Sequence, residues 1–168
     1  MSGALIVTAE LAPADFAWLD MLRRRHFPPE RNQLPAHLTM FHALPPSAES
    51  EIRRDLGRHA ASRAPRATIA GLMDLGGGVA FRIVSDDLET IRNAIAEHCH
   101  GLLSAQDSGG WSPHVTVQNK VQPSAARQLL GELKQDFRPR PIEIVALALH
   151  RYLGGPWEPL ARCPFRGN

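Results

Sequence analysis

The chain has 168 residues, of which 43% are hydrophobic and 21% are charged, which fits one globular domain that buries its core without disulfides or metals. Its net charge of +2 is too small for strong nonspecific attraction to nucleic acid, and no apolar run approaches the roughly 20 residues that span a bilayer. Cys99 and Cys163 form no CxxC pair and the N-terminus does not resemble a signal peptide, so we expect a cytoplasmic protein.

The first half of the chain alternates β-rich and helical segments. The predicted strands are Ala4 to Leu11, Ala36 to Leu44, Ala67 to Leu75 and Val79 to Val84. The predicted helices are Pro13 to Phe27 and Ala48 to about Arg63, the second capped by Ser47. Gly76-Gly77-Gly78 joins the last two strands as a hairpin turn, because it lacks the residues of a phosphate-binding loop.

The second half repeats this order. A helix capped by Asp86 or Asp87 runs to about His100, and another runs from Ser124 to about Phe137. Strands are predicted at His114 to Val121, Ile142 to Tyr152 and Pro159 to Phe165. Ser104 to Gly110 is predicted to be a flexible loop.

The two halves share one regularity: a His-x-Thr strand between helices, followed by a hairpin. His37 and His114 are 114 − 37 = 77 residues apart, close to half the chain. We therefore predict an internal duplication in a single domain, 1–168, with pseudo-repeats at about 4–85 and 86–168. The expected fold is α+β and bilobal, with two mainly antiparallel sheets flanked by helices around a central active-site groove.

Each His-x-Thr strand has one polar and one apolar face. Alternation directs His37, Thr39 and Phe41 one way, and Leu38 and Met40 the other. With 8 histidines and 5 threonines in the chain, two His-x-Thr hits arise by chance with a probability of about 0.02. The pair of motifs is therefore the main functional signal in the sequence.

The second motif has the same arrangement. Alternation directs His114, Thr116, Gln118 and Lys120 to one face. Two imidazoles can act as the acid and the base of phosphodiester cleavage, because they titrate near neutral pH. Two threonine hydroxyls can hydrogen-bond the non-bridging oxygens of one phosphate. Such chemistry does not require a metal.

These motifs, His37-Leu38-Thr39-Met40 and His114-Val115-Thr116-Val117, together with the duplicated layout, resemble the 2H phosphoesterase superfamily, close to its 2′-5′ RNA ligase-like branch. The resemblance implies a bilobal fold and cofactor-free action on nucleotides or RNA with 2′,3′-cyclic phosphate or 2′-5′ linkages. It also implies catalytic roles for His37, Thr39, His114 and Thr116.

Members of the ligase branch often carry an arginine shortly after a motif, whereas this chain has Phe41-His42 and Gln118-Asn119-Lys120. Lys120 is the candidate for that cationic role. The other candidates for substrate binding are Phe41, Gln118, Arg82 and Tyr152. We expect a monomer that binds an RNA or nucleotide substrate and neither a membrane nor a metal.

The order of the two histidines is open, because the motifs are alike. We expect His114 to be the general base for water and His37 the general acid for the departing ribose oxygen. The same groups would serve an ATP-independent RNA 2′-5′ ligase in the reverse direction. A noncatalytic RNA- or nucleotide-binding module is an alternative of another class, and a metal-dependent hydrolase lacks a convincing ligand cluster.

Overall fold

The computed structural model describes residues 3–167, so Met1, Ser2 and Asn168 of the predicted domain lie outside the described part. The described strands are β1 (Leu5–Leu11), β2 (Leu38–Leu44), β3 (Arg66–Asp74), β4 (Val79–Val84), β5 (His114–Gln118), β6 (Arg140–Tyr152) and β7 (Trp157–Pro164). The described helices are α1 (Pro13–His26), α2 (Glu49–Ala60), α3 (Asp86–His98), α4 (Ala105–Ser108) and α5 (Pro123–Asp136). None of the helices within residues 3–167 is long and apolar enough to cross a membrane.

The strands form an antiparallel arrangement in the order β2-β1-β6-β3-β4-β5, with β7 beside β6. The long strand β6 joins two sets of strands: its first residues pair with β3, and its later residues pair with β1 and β7. The predicted α+β fold with antiparallel strands is therefore confirmed, and β6 connects the two expected sheets into one hydrogen-bonded network.

Strands from the two halves of the sequence are interleaved. The hairpin β3-β4 comes from the first half but pairs with β5 of the second half. The hairpin β6-β7 comes from the second half but pairs with β1 of the first half. Each His-x-Thr strand thus lies at the end of a row of strands to which both halves of the sequence contribute.

The helix starts differ from the predicted caps. Ser85 caps α3, because its Oγ accepts the backbone N–H of Leu88 over 3.0 Å. Asp86 and Asp87 occupy the first turn instead, where a carboxylate stabilises the helix dipole. Ser47 does not cap α2, because Pro46–Ala48 forms a 3-10 turn and the helix begins only at Glu49, without a side-chain cap.

The core surrounds the strands that carry the motifs. Leu38, Met40, Val115 and Val117 are fully buried, as their strand alternation predicted. Helix α1 packs against β1 and β5, and α3 packs against β3. These buried contacts hold both His-x-Thr strands rigidly against the body of the protein.

Candidate active site

The four motif residues come together in one cavity. His37 immediately precedes β2, and His114 is the first residue of β5. Together with Thr39 and Thr116 they line a cavity of about 390 Å³. The two halves of the chain thus present one imidazole and one hydroxyl each to the same space.

Both imidazoles are held in the same way. His37 Nδ1 lies 2.8 Å from the carbonyl oxygen of Pro35, and His114 Nδ1 lies 2.8 Å from that of Ser112, in each case two residues earlier in the chain. A carbonyl oxygen only accepts hydrogen bonds, so Nδ1 carries the proton in both rings. Nε2 is therefore the atom left to take up or release a proton.

His37 is neutral at pH 7. Burial lowers the pKa of its imidazole to about 4, and the hydrogen bond to Pro35 only partly opposes this shift. The nearby guanidinium of Arg23 and the imidazoles of His114 and His42 lower the pKa of His37 further. The ring also packs edge-on against Trp157, with centroids 4.9 Å apart. His37 therefore offers an unprotonated Nε2 near neutral pH.

A β-bulge follows each motif. Thr8 and Val7 of β1 are neighbours, but they pair with Thr39 and Phe41, so Met40 is an extra residue in β2. Phe41 and His42 consequently lie on the faces opposite to those that simple alternation gives, and a second register shift follows between Phe41 and Leu44. Phe41 is fully buried, with its ring beneath the guanidinium of Arg92, and it cannot stack on a bound base as expected from simple alternation.

The second motif carries the equivalent bulge. Ala80 and Val79 of β4 pair with Thr116 and Gln118, so Val117 is the extra residue in β5. Gln118 is consequently buried and does not line the cavity, contrary to the expectation from alternation. In both motifs the bulge lies three residues after the histidine.

The remaining candidates lie in different places. Lys120 follows the end of β5 in a turn with a φ of 65°, is exposed, and does not line the cavity, because the strand stops at Gln118. Tyr152 pairs with Trp157 at the far end of β6 and does not line it either. Arg82 is exposed and pairs directly with His114 across β4 and β5, so the two residues share a face of the sheet. Its guanidinium lies over Gly71 of β3, and Arg82 does not line the cavity.

Sequence reasoning missed several residues of the site. His42, Asp107, Trp111 and Trp157 line the cavity with the four motif residues. The expected flexible loop, Ser104 to Gly110, contains helix α4 and packs against β2. His42 reaches the cavity because of the bulge, which depends on pairing with β1 and leaves no local mark in the sequence.

Residues 104–111, which include α4, cover the outer edge of β2 and are called the α4 segment. The Asp107 carboxylate accepts hydrogen bonds from the backbone N–H groups of His42 and Ala43, both at 2.8 Å, and lies 3.2 Å from His42 Nδ1. The indole Nε1 of Trp111 donates to the carbonyl oxygen of Thr39 over 3.1 Å. Side chains of this segment therefore satisfy backbone groups of β2 that none of the strands described within residues 3–167 pairs on that side.

A second cavity adjoins the first. It has a volume of about 540 Å³ and shares His37 and Trp157 with the cavity that the four motif residues line, here called the motif cavity. Its remaining lining is mostly apolar and includes Phe16, while His150 supplies a polar edge. The ring of His150 lies 5.3 Å from that of Trp157, so the pair of His37 and Trp157 separates the two spaces.

Most of the chain matches one known protein family. A family model described as the 2′-5′ RNA ligase superfamily matches residues 11–156. The chain belongs to the 2′-5′ RNA ligase superfamily. The resemblance to 2H phosphoesterases that the two motifs indicated is thereby confirmed. No curated protein sequence matches the chain significantly.

Several solved structures share the fold of this chain. TT0787 of Thermus thermophilus aligns with a TM-score of 0.65 and 16% identity, covering 98% of this chain and 99% of that one. Escherichia coli LigT complexed with phosphate aligns with a TM-score of 0.57 and 18% identity, covering 98% of each chain. LigT complexed with 3′-AMP aligns with a TM-score of 0.55 and 19% identity, covering 98% and 99%. At these identities the likeness shows a shared fold.

No group of three or more His, Cys, Asp or Glu side chains within residues 3–167 is arranged to hold a metal ion. The local run His98-Cys99-His100 illustrates this. His98 Nδ1 lies 2.8 Å from the Asp55 carboxylate, whereas Cys99 is buried. The central cavity therefore presents imidazoles and hydroxyls rather than a ligand cluster.

Proposed function

We propose that this protein is a phosphodiesterase that cleaves 2′,3′-cyclic phosphate or 2′-5′ linkages of nucleotides or RNA by paired-histidine acid–base catalysis. The observation that carries the proposal is the matched state of His37 and His114. Both rings donate from Nδ1 to a carbonyl two residues earlier, and both line one cavity with a threonine. Each ring thereby keeps one nitrogen, Nε2, for proton transfer.

The lowered pKa of His37 favours an order of roles opposite to the one expected from the sequence. Because His37 is neutral at pH 7, its Nε2 is suited to remove a proton from the attacking water or hydroxyl. His114 in its protonated form then gives the Nε2 proton to the departing oxygen. The new P–O bond forms on the side of His37, and the old one breaks on the side of His114.

Thr39 and Thr116 hold the phosphate during this exchange. Each hydroxyl can donate to a non-bridging oxygen, where negative charge increases in the transition state. Arg82 lies on the same face of the sheet as His114, and its long exposed side chain can turn from Gly71 towards a bound phosphate and supply a positive charge there. Arg82 therefore remains a candidate phosphate ligand, and the cationic role first assigned to Lys120 passes to it.

Membership of the 2′-5′ RNA ligase superfamily and the solved LigT complexes with phosphate, NADP+ and 3′-AMP support a nucleotide substrate for this chain. The apolar cavity beside His37 and Trp157 offers room for a nucleoside next to the phosphate. Both cysteines are free thiols, which suits the proposed cytoplasmic role in RNA processing.

The deciding experiment measures hydrolysis of 2′,3′-cyclic nucleotides and of short RNAs ending in 2′,3′-cyclic phosphate, in excess chelator. Wild type, His37→Ala and His114→Ala are compared with His100→Ala, which removes an exposed histidine outside the cavity. We expect turnover in wild type and His100→Ala, and a loss of about 10²-fold or more in the other two variants. Turnover that needs a metal ion, or that survives both cavity substitutions, would contradict the proposal.

The second candidate is ligation, because microscopic reversibility assigns the same groups to the formation of a 2′-5′ bond. The superfamily description is the observation that favours it. An RNA with a 2′,3′-cyclic phosphate end and an RNA with a 5′-hydroxyl end, incubated without ATP, distinguish the two directions. A folded wild type that binds such RNAs but converts none of them would instead indicate a binding module.

A further inference from the structure

His42 marks a part of the motif cavity that the two His-x-Thr motifs do not occupy. The bulge at Met40 returns His42 to the face of His37 and Thr39, and His42 lies about 7 Å beyond Thr39 along the strand. Gln106 and Arg92 also line the cavity, and both adjoin Asp107: Gln106 precedes it in the chain, and Arg92 donates to its carbonyl oxygen. With a volume of about 390 Å³, the cavity has the size of a nucleotide site rather than of a single phosphate.

The His42 ring is fixed with one nitrogen free. Asp107 lies 3.2 Å from Nδ1, and a carboxylate accepts hydrogen bonds only, so Nδ1 carries a proton and Nε2 is left unbound by the carboxylate. Burial alone would raise the pKa of Asp107, but hydrogen bonds from the ring and backbone of His42 and from the backbone of Ala43 lower it below its ordinary value. Asp107 is therefore an ionised carboxylate beneath the ring.

The charges at this end of the cavity suit an anion. The Asp107 side chain is fully buried, whereas the ring of His42 is 38% exposed, so a ligand contacts the imidazole rather than the carboxylate. The Arg92 guanidinium lies behind them, donating to the carbonyl oxygens of Met40 and Asp107. Buried Arg92 and Asp107 offset each other in charge, which leaves the His42 imidazole as the accessible group that can donate to an anion when Nε2 carries a proton.

We propose that His42, with Gln106 beside it, binds a second phosphate group of the substrate, one ribose-phosphate unit away from the phosphate held by the two motifs. This inference rests on the proposed function, because the motifs must hold the first phosphate. His42 is then a specificity residue, and Asp107 is a positioning residue that acts through it. The second phosphate comes either from a 5′-phosphate on the same nucleotide or from the next phosphodiester of an RNA chain.

The test compares three substrates by kcat/KM: a nucleoside 2′,3′-cyclic phosphate, the same compound with a 5′-phosphate, and a dinucleotide ending in the 2′,3′-cyclic phosphate. We expect wild type to prefer at least one substrate with a second phosphate by about tenfold, mainly through KM. The preferred substrate identifies the source of that phosphate. In His42→Ala the preference ratio falls towards one, and in His42→Lys it is largely kept.

A binding measurement keeps this inference separate from the proposed reaction. Nucleoside 3′,5′-bisphosphate and nucleoside 3′-monophosphate are titrated into wild type, His42→Ala and the control His100→Ala. Tighter binding of the bisphosphate that is lost only in His42→Ala supports the second phosphate site even if no turnover is found. Equal affinity of wild type for both compounds, or an equal loss for both in His42→Ala, would overturn it.

Discussion

Arg23 Nη1 donates a hydrogen bond to the backbone carbonyl oxygen of Thr116 over 3.0 Å, so the helix before the first motif holds the strand of the second motif. Arg92 lies on α3, the first helix of the second half. It donates in the same manner to the carbonyl oxygen of Met40 in the first motif. Both arginines are almost fully buried. Each motif strand is thus hydrogen-bonded to a buried arginine of a helix from the other half of the chain, which fixes the two imidazoles relative to each other.

Arg23→Met should lower the free energy of unfolding by about 3 kcal/mol. The substitution leaves the carbonyl of Thr116 and the side-chain oxygen of Asn32 without their donor, and both bonds come from a charged group. Urea unfolding measures the change, with Arg25→Met as the control, since Arg25 is exposed on the same helix. Similar losses in the two variants would show that the buried hydrogen bonds contribute nothing particular.

The acid limb of kcat/KM against pH should lie near pH 4. The rate constant kcat/KM reports groups of the free enzyme, and burial lowers the pKa of His37 to about 4. The base is protonated only below that lowered pKa. Activity therefore persists through pH 5 to 6, where an ordinary histidine base with a pKa of about 6.5 would lose it. An acid limb near pH 6.5 in chelator would contradict the buried-base assignment.

The order of the two histidines should be visible in the choice of leaving group. A 4-nitrophenolate departs without protonation, so a phosphodiester with this leaving group bypasses the general acid. If His114 is the acid, His114→Ala loses about 10³-fold in kcat/KM on a cyclic phosphate but only about tenfold on the aryl ester. His37→Ala should lose about the same on both, because the nucleophile still needs a base. The reverse pattern would restore the order first expected from the motifs.

The sequence predicted the two motif strands and the convergence of their imidazoles, because alternation over His37 to Thr39 and His114 to Thr116 is a local property. It did not predict which face of the sheet the residues after each motif occupy. The bulges at Met40 and Val117 arise from pairing with β1 and β4, and they reverse the faces of Phe41 and Gln118. Periodicity alone cannot detect an extra residue that is defined by a distant partner strand.

The same limit applies to the segment around Asp107. Its polar and glycine residues are typical of a loop, and the sequence indicated nothing more. Asp107 is ordered because β2 is the terminal strand of the sheet order, and its free N–H groups require acceptors. The position of β2 at the end of the order follows from the topology of the whole chain, which the residues near Asp107 do not encode.

Phe41→Leu should affect stability rather than base recognition. Phe41 is fully buried beneath Arg92, so the smaller side chain leaves a cavity and weakens the contact with the guanidinium. We expect a loss of about 1 to 2 kcal/mol in the free energy of unfolding. The ratio of kcat/KM for adenosine and uridine 2′,3′-cyclic phosphates should stay unchanged. A selective loss of kcat/KM for one of the two bases would mean that the Phe41 ring contacts the substrate.

Asp107→Ala should expose two particular backbone amides. The carboxylate accepts the N–H groups of both His42 and Ala43, and alanine provides no replacement acceptor. Hydrogen exchange followed by NMR should therefore accelerate at these two amides by about tenfold or more, because an unpaired amide costs about 1 to 3 kcal/mol of local stability. The amide of Ile6 in the neighbouring buried strand β1 serves as the internal reference. Ser108→Ala is the matched substitution one residue away, where the side chain is exposed and bonds only within its own turn. Faster exchange confined to α4 itself, with His42 and Ala43 unchanged, would mean that Asp107 stabilises its own helix and leaves the edge of β2 untouched.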